Sequence, residues 1–596
     1  MAKRAPIRTA FLSSAVSALA LSLAGCVTPS DETALIEPRE PWAHTGQMMV
    51  TTSDARASEA GLEILKEGGS AVDATIASMM VLGLVEPQSA GIGGGGFLLR
   101  YDRETGDVVF QEGREKAPAS TTTELFYRDG EVLGFFEAWL SGRSVGTPAL
   151  VPMLWEAHQT EGVLPWARLF DAAIKHAEEG FTVSPRTVDF IQRFEARMGD
   201  RSRLKTDPGA KALFYGDDET PVQEGETLFN AAYADTMRKI AAEGPDALMT
   251  GEIAEAIIDA VQNDSALPGA LTLEDLANYD PKVREPVCGT YREHTVCTSP
   301  PPGSGVLVVQ ALGIMERASP EPLSNDADGW GAFINAGLLA YSDRNHYVAD
   351  ADQVPVPIDG LLNPDYLAAR ADLIGDGQVE AAPGDPSLFA GGDSLLQQWG
   401  MDPALGTTGT THLSVVAPNG DAVALTATVE SIFGNQTMVH GFFLNNQLTD
   451  FAREAEKDGK PLANAPAPFK RPRSSMSPTL VFDPDGDLML VTGSPGGNNI
   501  PGYVLKTIVA TIDMGMSAQE ASDAANVVAR PDRLRIEKER APEGVIETLQ
   551  ERGFAVEGSE GETSGLNLIL VTEDGLDGGA DIRRIVGGVA AAGLDD

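Results

Sequence analysis

The sequence predicts an α+β protein in which antiparallel sheets are covered by helices, and three observations carry the prediction. Strand-like runs come in pairs joined by short turn signals, which favours hairpins over a doubly wound parallel sheet. Helical runs alternate with those hairpins throughout. At 596 residues the chain also exceeds the roughly 250–300 residues at which one hydrophobic core stops growing, so two domains or one large layered one are expected.

The elements follow in order. Residues 1–25 carry Lys3, Arg4 and Arg8 before a short apolar stretch from Phe11 to Gly25, the pattern of an export signal and too short to span a bilayer comfortably. It ends Leu23-Ala24-Gly25-Cys26, which resembles a bacterial lipobox with Cys26 as the lipidated first residue of the mature chain. A simple signal peptide with an incidental cysteine is the plainer alternative. Residues 26–45 are polar and hold prolines, as a tether would. From Ser53 as N-cap a helix is expected over Ala55–Lys66, stopped by Gly68-Gly69. Val72–Val85 is apolar almost all round, so this helix should lie against a sheet. Helices are also expected at Trp166–Glu179, Ala332–Ser342 and Ala518–Val528. Strands are expected at Phe97–Tyr101, Val108–Gln111, Leu413–Val416, Ala422–Val429, Thr479–Phe482 and Asp487–Val491. Internal repeats are absent, and low complexity is confined to the leader and Leu462–Phe469.

Composition excludes several classes of function. A net charge of −43 repels phosphate backbones, so no nucleic-acid partner is expected. The seven histidines (44, 158, 176, 294, 346, 412 and 440) are scattered, and neither CxxC nor HExxH occurs, so no metal and no cofactor are expected. Cys288 and Cys297 bracket Gly289-Thr290-Tyr291-Arg292, read as a turn between short strands. An oxidising envelope permits a disulfide there, but spacing alone leaves the pairing open.

Gly91-Ile92-Gly93-Gly94-Gly95-Gly96 formally matches the dinucleotide fingerprint GxGxxG. Its context is inverted, because it follows a helix and opens a strand where the fingerprint follows a strand and opens a helix. Close backbone packing near a site, or a structural turn, fits better. The central motif is Gly409-Thr410-Thr411-His412, running into Leu413–Val416, the turn Pro418-Asn419-Gly420 and a second strand to Glu430. Pro418 suits the first central position of a type I turn and Gly420 the left-handed position after it, which favours a three-residue loop. That loop pairs Ala417 with Asp421 and sets Thr410 opposite Thr428, with Glu430 diagonal on the same face. An ordinary Thr hydroxyl is a poor nucleophile, whereas a Thr that becomes a chain terminus has its own amine as adjacent base. A Thr-rich strand without chemistry is the alternative. Downstream, Ser474-Ser475 offers paired hydroxyls for a carboxylate or a turn cap, and Gly496-Gly497 offers backbone N–H groups for an oxyanion or merely a turn.

In this order, Glu86-Pro87 through Gly91–Gly96, Arg114-Glu115-Lys116-Ala117-Pro118, Pro300-Pro301-Pro302, Thr410-Thr411-His412, Asn445-Asn446-Gln447, Ser474-Ser475-Met476-Ser477-Pro478 and Gly496-Gly497 resemble the γ-glutamyltransferase family. The resemblance runs from about Ser53 to Pro501. It implies a four-layer αββα sandwich of N-terminal-nucleophile hydrolase type, with two antiparallel sheets between helical layers. It further implies self-cleavage between Gly409 and Thr410, giving a large subunit 46–409 and a small subunit 410–596 within one intertwined fold. Carried across, Thr410 is the nucleophile and Thr428 the hydroxyl that contacts it. Arg114, Ser474 and Ser475 hold the substrate α-carboxylate, Gln447 and Asp450 its α-amino group, and Gly496 and Gly497 form the oxyanion hole.

Two positions depart from the family pattern. Glu430 stands where well-studied members have Asn on the α-amino side, and Phe451–Phe469 lacks the lid Tyr of well-studied bacterial members. The expected activity is transfer of a γ-glutamyl group from glutathione-like donors to water or an amine. An acylase acting on glutaryl side chains is the alternative enzyme, and a non-catalytic envelope lipoprotein the alternative of another class. The expected location is the bacterial cell envelope, with the body facing the periplasm and only a lipid touching the membrane.

Overall fold

Two antiparallel sheets organise the computed structural model, which describes residues 43–216, 219–402, 409–584 and 587–593. The leader 1–25, Cys26 and nearly all of the tether lie outside the described residues. What is described falls within one unit, Trp42–Asp596.

The seven-stranded sheet runs, edge to edge, through Gly588–Ala592, Met48–Thr52, Gly409–Val416, Ala422–Glu430, Gly95–Tyr101, Val108–Gly113 and Lys282–Arg284. The six-stranded sheet runs Gly575–Ala580, Asn567–Thr572, Leu488–Thr492, Thr479–Phe482, His294–Thr298 and Val287–Tyr291. Both sheets draw strands from either side of Gly409, and the two sheets pack together, Gly409–Val416 lying on Asn567–Thr572 and Leu488–Thr492. The strands Gly409–Val416 and Ala422–Glu430 are buried along their whole length, polar residues included.

Helices cover the sheets. Ala71–Val85 is buried at every residue and packs on the strands Gly409–Val416 and Ala422–Glu430, as its all-round apolar surface predicts. Ser70 and Asp73 close its N-terminus with a reciprocal capping box. Gly305–Ala318 lies against Val287–Tyr291 and His294–Thr298 on the other sheet.

Several expectations need correction. The N-cap of Ala55–Lys66 is Asp54, whose carboxylate accepts the Arg56 N–H, which leaves the Ser53 hydroxyl for other use. Trp166–Phe170 is a separate 3-10 segment before the helix Asp171–Glu179. The expected helix Ala332–Ser342 is the middle of a longer one, Ala327–Tyr347. Ala518–Val528 divides into a helix Ala518–Asp523 and a strand Val527–Arg530, because Ala524 takes an extended ψ of 151° that ends the helix. The turn near the cysteines is Arg292-Glu293, with both residues at positive φ, so Gly289–Tyr291 is strand instead. Cys288 and Cys297 thereby face each other in register and are joined as a disulfide.

Candidate active site

The turn chemistry positions the site. Ala417 donates to the Asp421 carbonyl at 2.8 Å, Gly420 donates to the Ala417 carbonyl at 2.9 Å, and Gly420 has a φ of 88°. From there the register runs without a break to Thr410 opposite Thr428, then shifts so that Gly409 faces Glu430. At that irregularity a Cβ on Gly409 would lie 2.5 Å from the Ser431 carbonyl oxygen and 2.6 Å from that of Glu430, so a side chain does not fit.

One hydroxyl joins both sides of the Gly409–Thr410 peptide bond. Thr410 Oγ1 donates to Thr428 Oγ1 at 3.1 Å, and Thr428 Oγ1 donates to the Gly409 carbonyl oxygen at 2.5 Å. The Glu430 N–H holds Thr428 Oγ1 in place at 2.8 Å. The glycine run supports the same residue from behind. Gly95 pairs with Thr428, and a Cβ on Gly94 would lie 2.0 Å from the Thr428 carbonyl oxygen. The run therefore serves close backbone approach and is no phosphate loop.

No basic side chain is the contact of the Thr410 hydroxyl among the described residues; its partner is Thr428. His412 lies on the same strand face, but its ring is occupied by Thr426 Oγ1 at 2.9 Å and Ser414 Oγ at 3.1 Å. Burial pushes that imidazole down to about 3, so it is neutral and structural.

A polar wall faces Thr410. Arg114 follows the strand Val108–Gly113 and is fully buried. Its Nη2 donates to Asp450 Oδ2 at 2.6 Å and to the Arg473 carbonyl at 2.8 Å, and its Nε to the Pro472 carbonyl at 3.0 Å. Nη1 has no hydrogen-bond acceptor and sits 3.6 Å from Glu115 Oε2. The Glu115 carboxyl, buried without a hydrogen-bond donor, is pushed up to about 8 by that burial. Gln447 Nε2 donates to Asp450 Oδ2 at 2.7 Å, while the buried Gln447 Oε1 has no donor. Ser475 Oγ accepts from Arg344 Nη2 at 2.7 Å and donates to Asn498 Oδ1 at 3.0 Å. Ser474 accepts the Met476 N–H, and its own N–H is fixed by the Pro302 carbonyl. The Glu430 carboxylate accepts from Ser431 Oγ and Asn446 Nδ2, at a φ of 78°.

These residues line one small pocket: Arg114, Thr410, Thr428, Glu430, Gln447, Asp450, Ser474, Ser475 and Gly497, with Met476, Asn498 and Ile500. The sequence-predicted residues are thus brought together, with Gly496 just outside the lining, its backbone at a φ of 142° over the Tyr503 ring. Sequence reasoning missed Arg344, Asn498 and the Asn446 tether on Glu430. The signal for Asn498 was its place directly after Gly496-Gly497; Arg344 sits inside a long helix and gave none. Thr449, next to Asp450, lines a second cavity of about 340 Å³ with Leu133, Asp402, Phe451, Arg453 and Leu462.

Comparison with known proteins gives a consistent answer. Residues 57–592 match the Gamma-glutamyltranspeptidase family. The chain is 35% identical over 515 residues to a glutathione hydrolase proenzyme of Bacillus subtilis subsp. natto, covering 85% of this chain and 84% of that one. It is 33% identical over 562 residues to an acylase ACY 1 proenzyme of a Pseudomonas species, covering 91% and 95%. Among solved structures, a cephalosporin acylase from Bacillus halodurans superposes with a TM-score of 0.79 at 26% identity over 95% of this chain and 99% of that one. A gamma-glutamyltranspeptidase from Pseudomonas nitroreducens superposes with a TM-score of 0.50 at 30% identity, over 55% and 96%.

Proposed function

The chain belongs to the gamma-glutamyltranspeptidase family, and from that premise we propose that it splits itself before Thr410 and then transfers γ-glutamyl groups. The observation that carries this reading is Thr428 Oγ1, set between the Thr410 hydroxyl and the Gly409 carbonyl. In the first reaction Thr410 Oγ1 attacks the Gly409 carbonyl carbon. The Thr428 hydroxyl stabilises the charge developing on oxygen, and the Thr410 nitrogen leaves with a proton. Water then hydrolyses the resulting ester, releasing the 46–409 part with a carboxylate and Thr410 with a free amine.

That amine becomes the base. It takes the proton as Thr410 Oγ1 attacks the γ-glutamyl carbonyl, then returns it to the departing amine. Gly496 and Gly497 supply N–H groups to the oxyanion, helped by the N-terminus of the helix Ile500–Ile512 immediately after them. Water or an amine acceptor resolves the acyl-enzyme. The architecture is accordingly read as a four-layer αββα sandwich, and the body as tethered in the cell envelope through a lipid on Cys26.

Two groups on residues that line the pocket support the substrate class. Arg114 Nη1 lacks an acceptor and Gln447 Oε1 lacks a donor, each costing roughly 1–3 kcal/mol while unpaired. An α-amino acid satisfies both, its carboxylate facing Arg114, Ser474 and Ser475 and its ammonium facing Gln447, Asp450 and Glu430. A glutaryl group, lacking the ammonium, leaves Gln447 Oε1 without a donor and brings no positive charge to Asp450 and Glu430. The likeness to an acylase structure keeps a glutaryl amide as the second reading, and the cavity of about 340 Å³ lined in part by the Tyr-free segment Phe451–Phe469 offers room for a bulky leaving group.

The test is N-terminal identification of the small fragment, intact mass of a Thr410→Ala chain, and rates on γ-glutamyl and glutaryl anilides. Splitting before Thr410, none in the variant, and preference for the γ-glutamyl anilide are expected. A Thr410→Ala chain that still splits overturns the nucleophile, a chain that never splits points to the silent lipoprotein, and preference for glutaryl overturns the substrate.

A further inference from the structure

The proposed nucleophile strand is held unequally along its two edges. Against Ala422–Glu430 it is paired all the way to Thr410, whereas against Met48–Thr52 the register stops at Thr51 opposite Ser414. The end that carries Thr410 therefore has strand pairing on one edge alone at the point where cleavage would make it a chain terminus. Chain ends without such ties fray.

Side chains take over where the ladder stops. Ser53, the first residue beyond Met48–Thr52, places its Oγ 2.8 Å from Thr411 Oγ1 and donates to Glu86 Oε2 at 2.6 Å. Because the single Ser53 proton points to Glu86, the Thr411 hydroxyl donates to Ser53. All three groups are essentially without solvent exposure. Glu86 caps the buried helix Ala71–Val85, its N–H donating to the Leu82 carbonyl, and Arg186 Nε stands 3.4 Å from its other oxygen. Asn567 Nδ2 adds a tie to the His412 carbonyl at 3.0 Å. A carboxyl in such a place contributes nothing to packing that an apolar residue would not do at lower desolvation cost. Its distinguishing property is a strong, directional acceptor for Ser53.

Resting on the reading of Thr410 as nucleophile, we propose that Ser53 and Glu86 are positioning residues. They clamp Thr411 and so fix the direction of Thr410 once it is a free terminus. Neither touches the reacting atoms. The clamp acts through one residue of backbone, and a displacement of about 1 Å at a nucleophile is enough to cost up to about 100-fold in rate.

The experiment uses the full chain carrying Thr411→Val, which keeps the side-chain shape, Ser53→Ala, both together, and Glu86→Gln and Glu86→Ala. Splitting rate, kcat and KM on a γ-glutamyl anilide are measured alongside thermal melting. Thr411→Val and Ser53→Ala are expected to lower kcat about 10-fold or more with KM within about twofold. The double variant is expected to be no worse than the poorer single one, as for two members of one contact. Glu86→Gln, which keeps an acceptor for Ser53, should stay close to the parent while Glu86→Ala follows Thr411→Val. Parent-like splitting and kcat in Thr411→Val and Ser53→Ala, or losses that multiply in the double variant, overturn the clamp. Thr410→Ala separates the two ideas. If it blocks splitting while the clamp variants behave like the parent, the clamp alone fails, and if it splits, the nucleophile reading fails with it.

Discussion

Replacing Thr428 by Val isolates the hydroxyl that serves Thr410 and Gly409 together. The substitution keeps the β-branched shape and removes three hydrogen bonds: one given to the Gly409 carbonyl at 2.5 Å, one received from Thr410 at 3.1 Å, and one received from the Glu430 N–H at 2.8 Å. Two separate costs follow. Loss of a donor on a developing oxyanion costs about 2.7–4 kcal/mol of barrier, or roughly 100- to 1,000-fold in rate. The buried Glu430 N–H, left unpaired, costs about 1–3 kcal/mol of stability. The first is read from a time course of splitting on denaturing gels, with intact mass confirming a fragment that begins at Thr410. The second is read from thermal or denaturant unfolding. Thr428→Ser restores the hydroxyl and should split within a few-fold of the parent. A Thr428→Val chain that melts lower yet splits at the parent rate refutes the polarisation of Gly409. Equal losses in the Ser and Val variants show that shape, and not the hydroxyl, is what matters.

Three further outcomes are expected. Asp450→Asn removes the charge paired with Arg114 and proposed to face the substrate ammonium, so KM for a γ-glutamyl anilide should rise about 10- to 100-fold, and an unchanged KM places the ammonium elsewhere. Burial pushes Glu115 from 4.5 up to about 8, so between those values the folded chain keeps a proton the unfolded chain has lost. Stability from this group therefore falls as pH rises through that window, by at most about 1.4 kcal/mol per pH unit. Melting midpoints of Glu115→Gln should be flatter across it, and identical slopes in parent and variant remove Glu115 as the cause. Gly94→Ala puts a methyl 2.0 Å from the Thr428 carbonyl, so splitting should be lost or slowed more than 10-fold even in folded material, and normal splitting there would mean that the strand can shift harmlessly.

Local chemistry made the centre of the fold legible. Pro418 and Gly420 allow few turn geometries, and a hairpin register propagates from its turn without further information, so Thr410 opposite Thr428 could be counted from sequence. The segment after Asp523 was not legible in that way. Val527 and Val528 are buried, and a short apolar run has no period that separates helix from strand. The site divided along the same line. Residues inside motifs were found, whereas Arg344 reaches Ser475 from a helix more than a hundred residues earlier, a contact set by tertiary packing that leaves no trace in spacing. The glycine run was read as close backbone packing near a site or a structural turn, but that Gly94 meets the carbonyl of Thr428 itself depends on which two strands pair.

Both sheets combine strands from before and after Gly409, and the proposed cut there would make the order of events irreversible. While the chain is continuous, folding is a unimolecular search, and the nucleophile is assembled only after distant segments have met. After that cut, the same sheets would hold together two molecules that share both sheets and no covalent bond other than disulfides, of which the one described lies wholly on one side. Unfolding such a pair would release partners that must find each other by diffusion, with a recovery that depends on concentration. Self-cleavage, as proposed, would thus act as a record of having folded once, written into connectivity, and the split protein could not repeat the path that made it.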